Sequence, residues 1–304
     1  MPFSIRLIQP CAVVAAALAL LGAPLAAQQP APAAKATATP PEWRKPVKPF
    51  QIVGDIYYVG TAGLAAYLIK SPQGAILLDG TLAENAPMIE HNIEALGVPL
   101  HDVKLLLSDH AHNDHVGALA QIKRDTGASL AAGAGDQWAL EQGQSPGQVN
   151  YLPVNFPPVK VDRPVHDGET VAVGPLVVTA HLTAGHTPGC TSWSVTVRES
   201  GRPVRVLFLC SITVAGNVLV GNTVYPRIVS DYRGTFDKLS GMKADVVLTS
   251  HPEVADVLWR EAKRKPGKAN PFIDPSALST IVTDAHEKFE ESLKKALAAG
   301  PVPP

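Results

Sequence analysis

Neither sign of charge prevails in this chain: 26 Lys and Arg stand against 27 Asp and Glu, a formal net charge of −1. No global field then favours nucleic acid or an anionic membrane, and neither is expected as a partner. Charged residues make up only 17% of the 304 and hydrophobic ones 46%, which excludes disorder along the whole chain and leaves ample material for a core. Cysteine is scarce, at three, so a structural zinc site built on thiolates is disfavoured. No apolar run comfortably reaches the ~20 residues of a bilayer span. No internal repeat is visible, and no break in composition after Phe50 marks a second independent unit.

What is present begins with an export signature. Arg6 precedes an apolar run from Ala12 to Leu21, and small residues end at Ala26 and Ala27 before Gln28. Residues 1–27 therefore read as a cleavable secretory signal, and the product as periplasmic and free of stable membrane association. Cys11 lies ahead of the apolar run, which argues against lipid attachment at a processed terminus. Residues 28–49, rich in Ala, Pro, Thr and Lys, read as an extended arm, and 50–304 as one domain.

Within that domain, strands are expected at Ile56–Val59, Ala65–Ile69 and Ala75–Leu78, a helix over Asn85–Leu96, and a doubly covered strand at Val103–Leu107. A helix over Val116–Arg124 and a strand at Ser129–Ala132 follow. The second half repeats the alternation, with strands near Val171, Leu176–Ala180, Ser194–Val197, Val204–Leu209 and Val246–Leu248. Helices are expected around Phe236 and from Ser276 to Ala298. Strands in both halves, with helices between and after them, predict an α/β or α+β class of sheets enclosed by helices.

The most specific signal is H-x-H-x-D-H, formed by His110, His112, Asp114 and His115 just past the apolar strand. Zinc accepts both imidazole nitrogen and carboxylate oxygen, and one ion alone would not use four such groups in six residues. His186, in Gly185-His186-Thr187-Pro188-Gly189, and His251, in Ser250-His251-Pro252, also stand just past apolar strands. A lone loop histidine is usually an ordinary surface residue. Six ligand-type residues at three strand ends reverse that expectation. His91, His101, His166, His181 and His286 fit no ligand spacing and are taken as ordinary.

H-x-H-x-D-H followed by G-H-T-P-G and a late S-H-P resembles the metallo-β-lactamase superfamily, over roughly residues 50–300. The resemblance implies an α/β, four-layer αββα sandwich of two similar halves with metals at one edge. Many members carry a further aspartate bridging both metals after a strand between the last two histidine motifs. Here Cys210-Ser211-Ile212-Thr213 follows that strand and offers no carboxylate. The stretch instead resembles class B β-lactamases of the third subclass, as do Gly221-Asn222, Tyr225-Pro226, Asp231-Tyr232-Arg233 and Asp245 to Pro252.

Carried over by position, the resemblance implies two Zn²⁺ per chain, the first held by His110, His112 and His186 and the second by Asp114, His115 and His251. Asp114 is the expected catalytic residue, orienting a zinc-bound hydroxide that opens the lactam amide of penicillins, cephalosporins and carbapenems and so confers resistance. Ser211 and Thr213 match hydroxyls that take the substrate carboxylate, with strand-end capping the ordinary alternative. Cys190 and Cys210, the two cysteines left after signal removal, read as a disulfide in an oxidising periplasm, with two buried free thiols as the alternative. Closing such a loop would add on the order of 3 kcal/mol in the chain-entropy model.

The segment 138–158 is a candidate substrate-facing loop; Trp138, Tyr151 and Phe156 could line the cleft, although aromatics more often pack. The expected partner is a small-molecule β-lactam, and the expected state a monomer. Rival readings are a thioester or lactone hydrolase of the glyoxalase II kind, a more distant iron-dependent persulfide oxygenase, and a non-catalytic periplasmic zinc-binding protein.

Overall fold

The short strands of the two halves assemble into two separate sheets. In the computed structural model, which describes Met1 and residues 39–300, the first sheet has the order β1-β2-β3-β4-β5-β6-β7. Its strands are β1 (Phe50–Val53), β2 (Ile56–Tyr58), β3 (Tyr67–Ser71), β4 (Gly74–Leu78), β5 (Val103–Leu107), β6 (Ser129–Gly133) and β7 (Arg163–Val165). The first four pair antiparallel and the last four parallel, β4 belonging to both runs. The second sheet has the order β12-β11-β10-β9-β8, from β8 (Thr170–Val173), β9 (Leu176–Leu182), β10 (Thr191–Glu199), β11 (Arg202–Leu209) and β12 (Val246–Thr249). Only its β11–β12 pair is parallel. The expected signal segment after Met1, residues 28–38 of the expected arm and residues 301–304 lie outside the described residues.

Alternation along the strands sends one face of each sheet to a shared core. Ile69, Ile76, Leu78, Leu105 and Leu107 of the first sheet meet Val178, Trp193, Val195, Val206 and Phe208 of the second. The other face of the first sheet, through Leu68, Leu77 and Leu106, packs under α1 (Ala86–Ala95) and α3 (Leu119–Thr126). That of the second, through Leu207, Leu209 and Val247, packs under α5 (Ile228–Gly241) and α7 (Ala277–Ala299). Helix, sheet, sheet, helix: the four-layer sandwich implied by the family resemblance is present.

The differences from expectation have local causes. The helix expected over 116–124 is split into α2 (Asn113–Val116) and α3, where Ala118 N–H donates to Thr81 O at 3.3 Å instead of back along the helix, and the chain at Gly117 lies tight against its neighbours. A Cβ there would stand 2.7 Å from the Asn113 carbonyl oxygen and 2.9 Å from that of Thr81. The segment 138–158 is not wholly a loop: its start lies in α4 (Gln137–Gln142), stopped by Gly143 in the left-handed conformation. Its remainder is pinned by Asn150 N–H to Gly216 O, 2.9 Å, and Val218 N–H to Gln148 O, 2.9 Å. β7 carries Pro164 and escapes a strand pattern, yet as an edge strand it tolerates the missing donor. The short α6 (Val257–Lys263) was likewise not anticipated. Residues 39–49 lie against the domain rather than forming a free arm, with Ala62 N–H on Lys45 O and Gly63 N–H on Glu42 O, both 2.9 Å. Among the described residues no helix is long and apolar enough to cross a membrane.

Candidate metal centre

Three chain segments leave the sheets at one edge and carry the ligand-type residues. The loop after β5 bears His110 and His112 and runs into α2 with Asp114 and His115; the loop after β9 bears His186; the loop after β12 bears His251. Cross-sheet bonds fix these loops relative to one another. Thr191 N–H donates to Asp109 O, 2.8 Å, Ala65 N–H to Ser250 O, 2.8 Å, Trp193 Nε1–H to Ser108 O, 3.0 Å, and Tyr67 O–H to Thr249 O, 2.7 Å.

Asp136, buried between β6 and α4, clamps the first two loops. Its Oδ2 accepts from Ala111 N–H at 2.9 Å and Thr187 O–H at 2.7 Å, and its Oδ1 from Gly189 N–H at 2.7 Å. Burial pushes this carboxyl up, against the pull of those three donors. The backbone of Asp136 comes so close to Gly189 that a Cβ there would run into it, which explains the second glycine of G-H-T-P-G.

Two trios result, each with its ligand-type atoms within 4.8 Å of one another: His110, His112 and His186, and Asp114, His115 and His251. In the first, His186 Nε2 and His112 Nδ1 stand 3.1 Å apart. The other nitrogen of His186, Nδ1, donates to Thr213 O at 2.8 Å, leaving Nε2 as the lone-pair nitrogen. The Thr213 carbonyl also accepts from Tyr232 O–H, 2.6 Å, so it is itself held in place. His110 Nδ1 faces Asp109 Oδ1 at 2.9 Å, and its Nε2 is buried without a partner. Burial, with the charges of its neighbours, lowers His186 to about 3 and His112 well below the usual imidazole value.

In the second trio Asp114 Oδ2 lies 3.3 Å from His115 Nε2 and 3.4 Å from His251 Nε2. Burial works to raise the Asp114 carboxyl, but the two imidazoles outweigh it and hold it well below the carboxylate range. His115 is raised, because Asp114 outweighs the opposing effect of burial.

This donor set fits zinc. Imidazole nitrogens and one carboxylate converge in two groups, and a buried nitrogen such as Nε2 of His110, left without a hydrogen bond, is the condition that a cation relieves. Cys190 and Cys210 are joined in a disulfide beside His110, so neither sulfur is a thiolate ligand. The trios open on a cavity of about 850 Å³ whose walls include Trp43, Tyr151, Ser211, Thr213 and, from α7, Lys288. Ser211 Oγ and Thr213 Oγ1 stand 3.0 Å apart on that wall.

All six expected ligand residues are thus brought together. Of the aromatics considered for the cleft, Tyr151 lines it, Phe156 is in the core and Trp138 is exposed elsewhere. His181 takes no part and bonds Ser194 at 2.8 Å. Sequence reasoning missed Asp136, whose acidic side chain has no motif around it. It also missed Trp43, which sits beside His251 with ring centroids 5.7 Å apart, although it belongs to the segment read as an arm. The left-handed Asp79 and Thr81, φ 62° and 55°, escaped as well; Gly80 N–H between them donates to His115 O, 2.7 Å. A β-branched residue at positive φ is strained, and such strain gathers near functional sites.

Comparison with known proteins agrees with this geometry. Residues 62–251 match the family model of the metallo-β-lactamase superfamily. A subclass B3 metallo-β-lactamase of Bradyrhizobium japonicum, BJP-1, is 48% identical, with a TM-score of 0.82 over 85% of this chain and 98% of that one. FEZ-1, a metallo-β-lactamase of Legionella gormanii, is 36% identical, with a TM-score of 0.78 over 83% of this chain and 98% of that one. A probable metallo-hydrolase of Burkholderia pseudomallei is 28% identical over 41% of this chain, which spans only 41% of the length of that curated relative. The chain belongs to the metallo-β-lactamase superfamily, and within it to subclass B3.

Proposed function

We propose that the chain is a periplasmic β-lactam hydrolase with two zinc ions, the first on His110, His112 and His186, the second on Asp114, His115 and His251. The observation that carries this reading is what stands beside the trios. Where a bridging carboxylate would suit a glyoxalase-like centre, the Cys190–Cys210 disulfide is found, followed at once by two hydroxyls on the cavity wall. The export signature and that disulfide support the compartment.

Zinc in such a site supplies Lewis acidity and a water that ionises near pH 7, so no protein nucleophile is required. Asp114, whose Oδ2 faces His115 and His251 in the second trio, would accept a hydrogen bond from the attacking water through its carboxylate and aim it at the lactam carbonyl. Ser211 Oγ and Thr213 Oγ1 donate to the carboxylate that penicillins, cephalosporins and carbapenems share. His186, locked by the Thr213 carbonyl, keeps its free nitrogen directed into the first trio. The C–N bond of the ring breaks, the carbonyl carbon gains the oxygen of water, and the released nitrogen gains a proton. Expression of such an enzyme confers resistance.

The deciding measurement gives the zinc-loaded mature protein a penicillin, a cephalosporin, a carbapenem and S-lactoylglutathione side by side. Opening of the lactams without thioester cleavage is expected. Cleavage of the thioester alone would replace this reading with the glyoxalase-like one, and turnover of none of the four would leave a zinc-binding protein.

A further inference from the structure

Asp109 precedes the H-x-H run, and the readings above give its side chain no task. Its backbone is fully employed: the amide donates to Asp79 Oδ1 at 3.0 Å and the carbonyl accepts from Thr191 N–H at 2.8 Å. The carboxylate itself is buried, 3% exposed; its Oδ1 stands 2.9 Å from His110 Nδ1 as an ion-pair contact, and both of its oxygens are buried without a hydrogen bond. His115 is its second neighbour. The ligand-type atoms of His115, Asp109 and Asp79 lie within 4.8 Å of one another, and the His115 Nδ1 is buried without a partner while Nε2 faces Asp114. One carboxylate therefore stands behind an imidazole of each trio.

A buried carboxylate is expensive to keep unless charge and hydrogen bonds offset it. Here the fold gains nothing visible from the side chain. Two divalent cations would place four positive charges in a pocket where Asp114 is the single carboxylate among the six ligand residues, and a second buried negative charge directly behind the rings offsets part of that excess. A carboxylate on the outer nitrogen of a metal-binding imidazole also fixes its tautomer and raises its basicity.

We propose that Asp109 is a positioning residue that holds the His110 ring through Nδ1 and lends its charge to His115, so that one side chain strengthens metal binding in both trios. This rests on the zinc reading but not on the substrate.

The test compares wild-type mature protein with Asp109→Asn, which keeps the volume and removes the charge, and Asp109→Glu, which keeps the charge and displaces it. Zinc affinity is measured by competition with a chromophoric chelator. The His110 Nδ1–H resonance is followed in zinc-loaded protein labelled with ¹⁵N-histidine, and melting of the metal-free proteins reports the fold. Asp109→Asn is expected to weaken zinc binding about 10- to 100-fold, to move the His110 Nδ1–H resonance, and to leave metal-free melting unchanged or raised. Asp109→Glu recovers part of the affinity. Unchanged affinity and resonance in Asp109→Asn would overturn the proposal, as would weakened binding matched by lower metal-free melting in both variants. Wild-type protein that binds zinc and opens no lactam defeats the substrate assignment alone.

Discussion

The two trios differ in depth and in charge. His110, His112 and His186 are 1%, 7% and 5% exposed and include no carboxylate. In the second trio His115 is as deeply buried, at 1%, but the side chains of His251 and Asp114 are 27% and 18% exposed, and Asp114 supplies a carboxylate. The first is a set of three imidazoles built into the floor between two clamped loops. The second carries a carboxylate and opens toward the surface through His251, beside which Trp43 packs. Such a division suits one ion that is held and another that stays close to solvent and substrate.

Removing one imidazole from each trio tests that division most severely. Both His186→Ala and His251→Ala are expected to lower turnover of a lactam about a hundredfold to a thousandfold, since each removes several kcal/mol of transition-state stabilisation. Zinc content separates them. His251→Ala is expected to retain one ion per chain after dialysis, and His186→Ala to retain less. Equal retention in the two variants would erase the distinction between the floor and the more open site.

The next effect is on the fold beneath the first trio. Asp136→Ala strands two buried amides, Ala111 N–H and Gly189 N–H, together with the Thr187 hydroxyl. At about 1–3 kcal/mol for each group left unsatisfied, a loss of at least about 3 kcal/mol is expected in denaturant unfolding of the metal-free protein. Zinc binding at the first trio is expected to suffer more than at the second, because the clamp joins the loops of His110 and His186.

That asymmetry also explains what the sequence could and could not disclose. The ligands were legible because H-x-H-x-D-H and G-H-T-P-G are local patterns directly beyond apolar strands, and the layers because alternation in β10 and β11 and the long pattern of α7 are likewise local. Asp136 acts on residues 25 and 53 positions away, and no neighbouring residue signals it. The packing of 39–49 was hidden for the same reason: its Pro- and Lys-containing sequence has no periodicity, and its order comes from backbone bonds to residues 62 and 63. The break after Gly117, where Ala118 N–H turns to Thr81 O, depends on a residue that only the fold brings near.

Acid should sharpen the contrast in charge. His112 and His186 have depressed values in the folded protein, so the unfolded chain binds protons that the folded one refuses; their stabilising effect is present above about pH 6.5. It is lost as pH falls from there, for His186 down to about 3. His115 is raised and works oppositely, its stabilising effect being complete below the unfolded value and lost as pH rises through the folded one. His112, His186 and His181, all lowered, favour pH 7 over pH 5, whereas His115, Glu90, Asp79 and Asp136, all raised, favour pH 5, so the acid limb of metal-free protein is read by difference between wild type and a variant. Replacing His186 by Asn should flatten that limb, and an unchanged limb in urea unfolding would contradict the assignment. His115 must also release its proton to bind a cation, so zinc retention at the second trio should fall first on acidification.

The smallest effect separates two roles within one residue. Thr213 serves the first trio through its carbonyl, which holds His186 and Tyr232, and faces the cavity through its hydroxyl. Thr213→Ala keeps the carbonyl and removes the hydroxyl. Zinc content and melting should therefore match the wild type, while KM for a lactam rises about tenfold, the loss of one hydrogen bond to a charged group with Ser211 still in place. A fall in zinc content with unchanged KM would mean that the hydroxyl supports the loop and not the substrate, and would assign the whole of Thr213 to the buried floor.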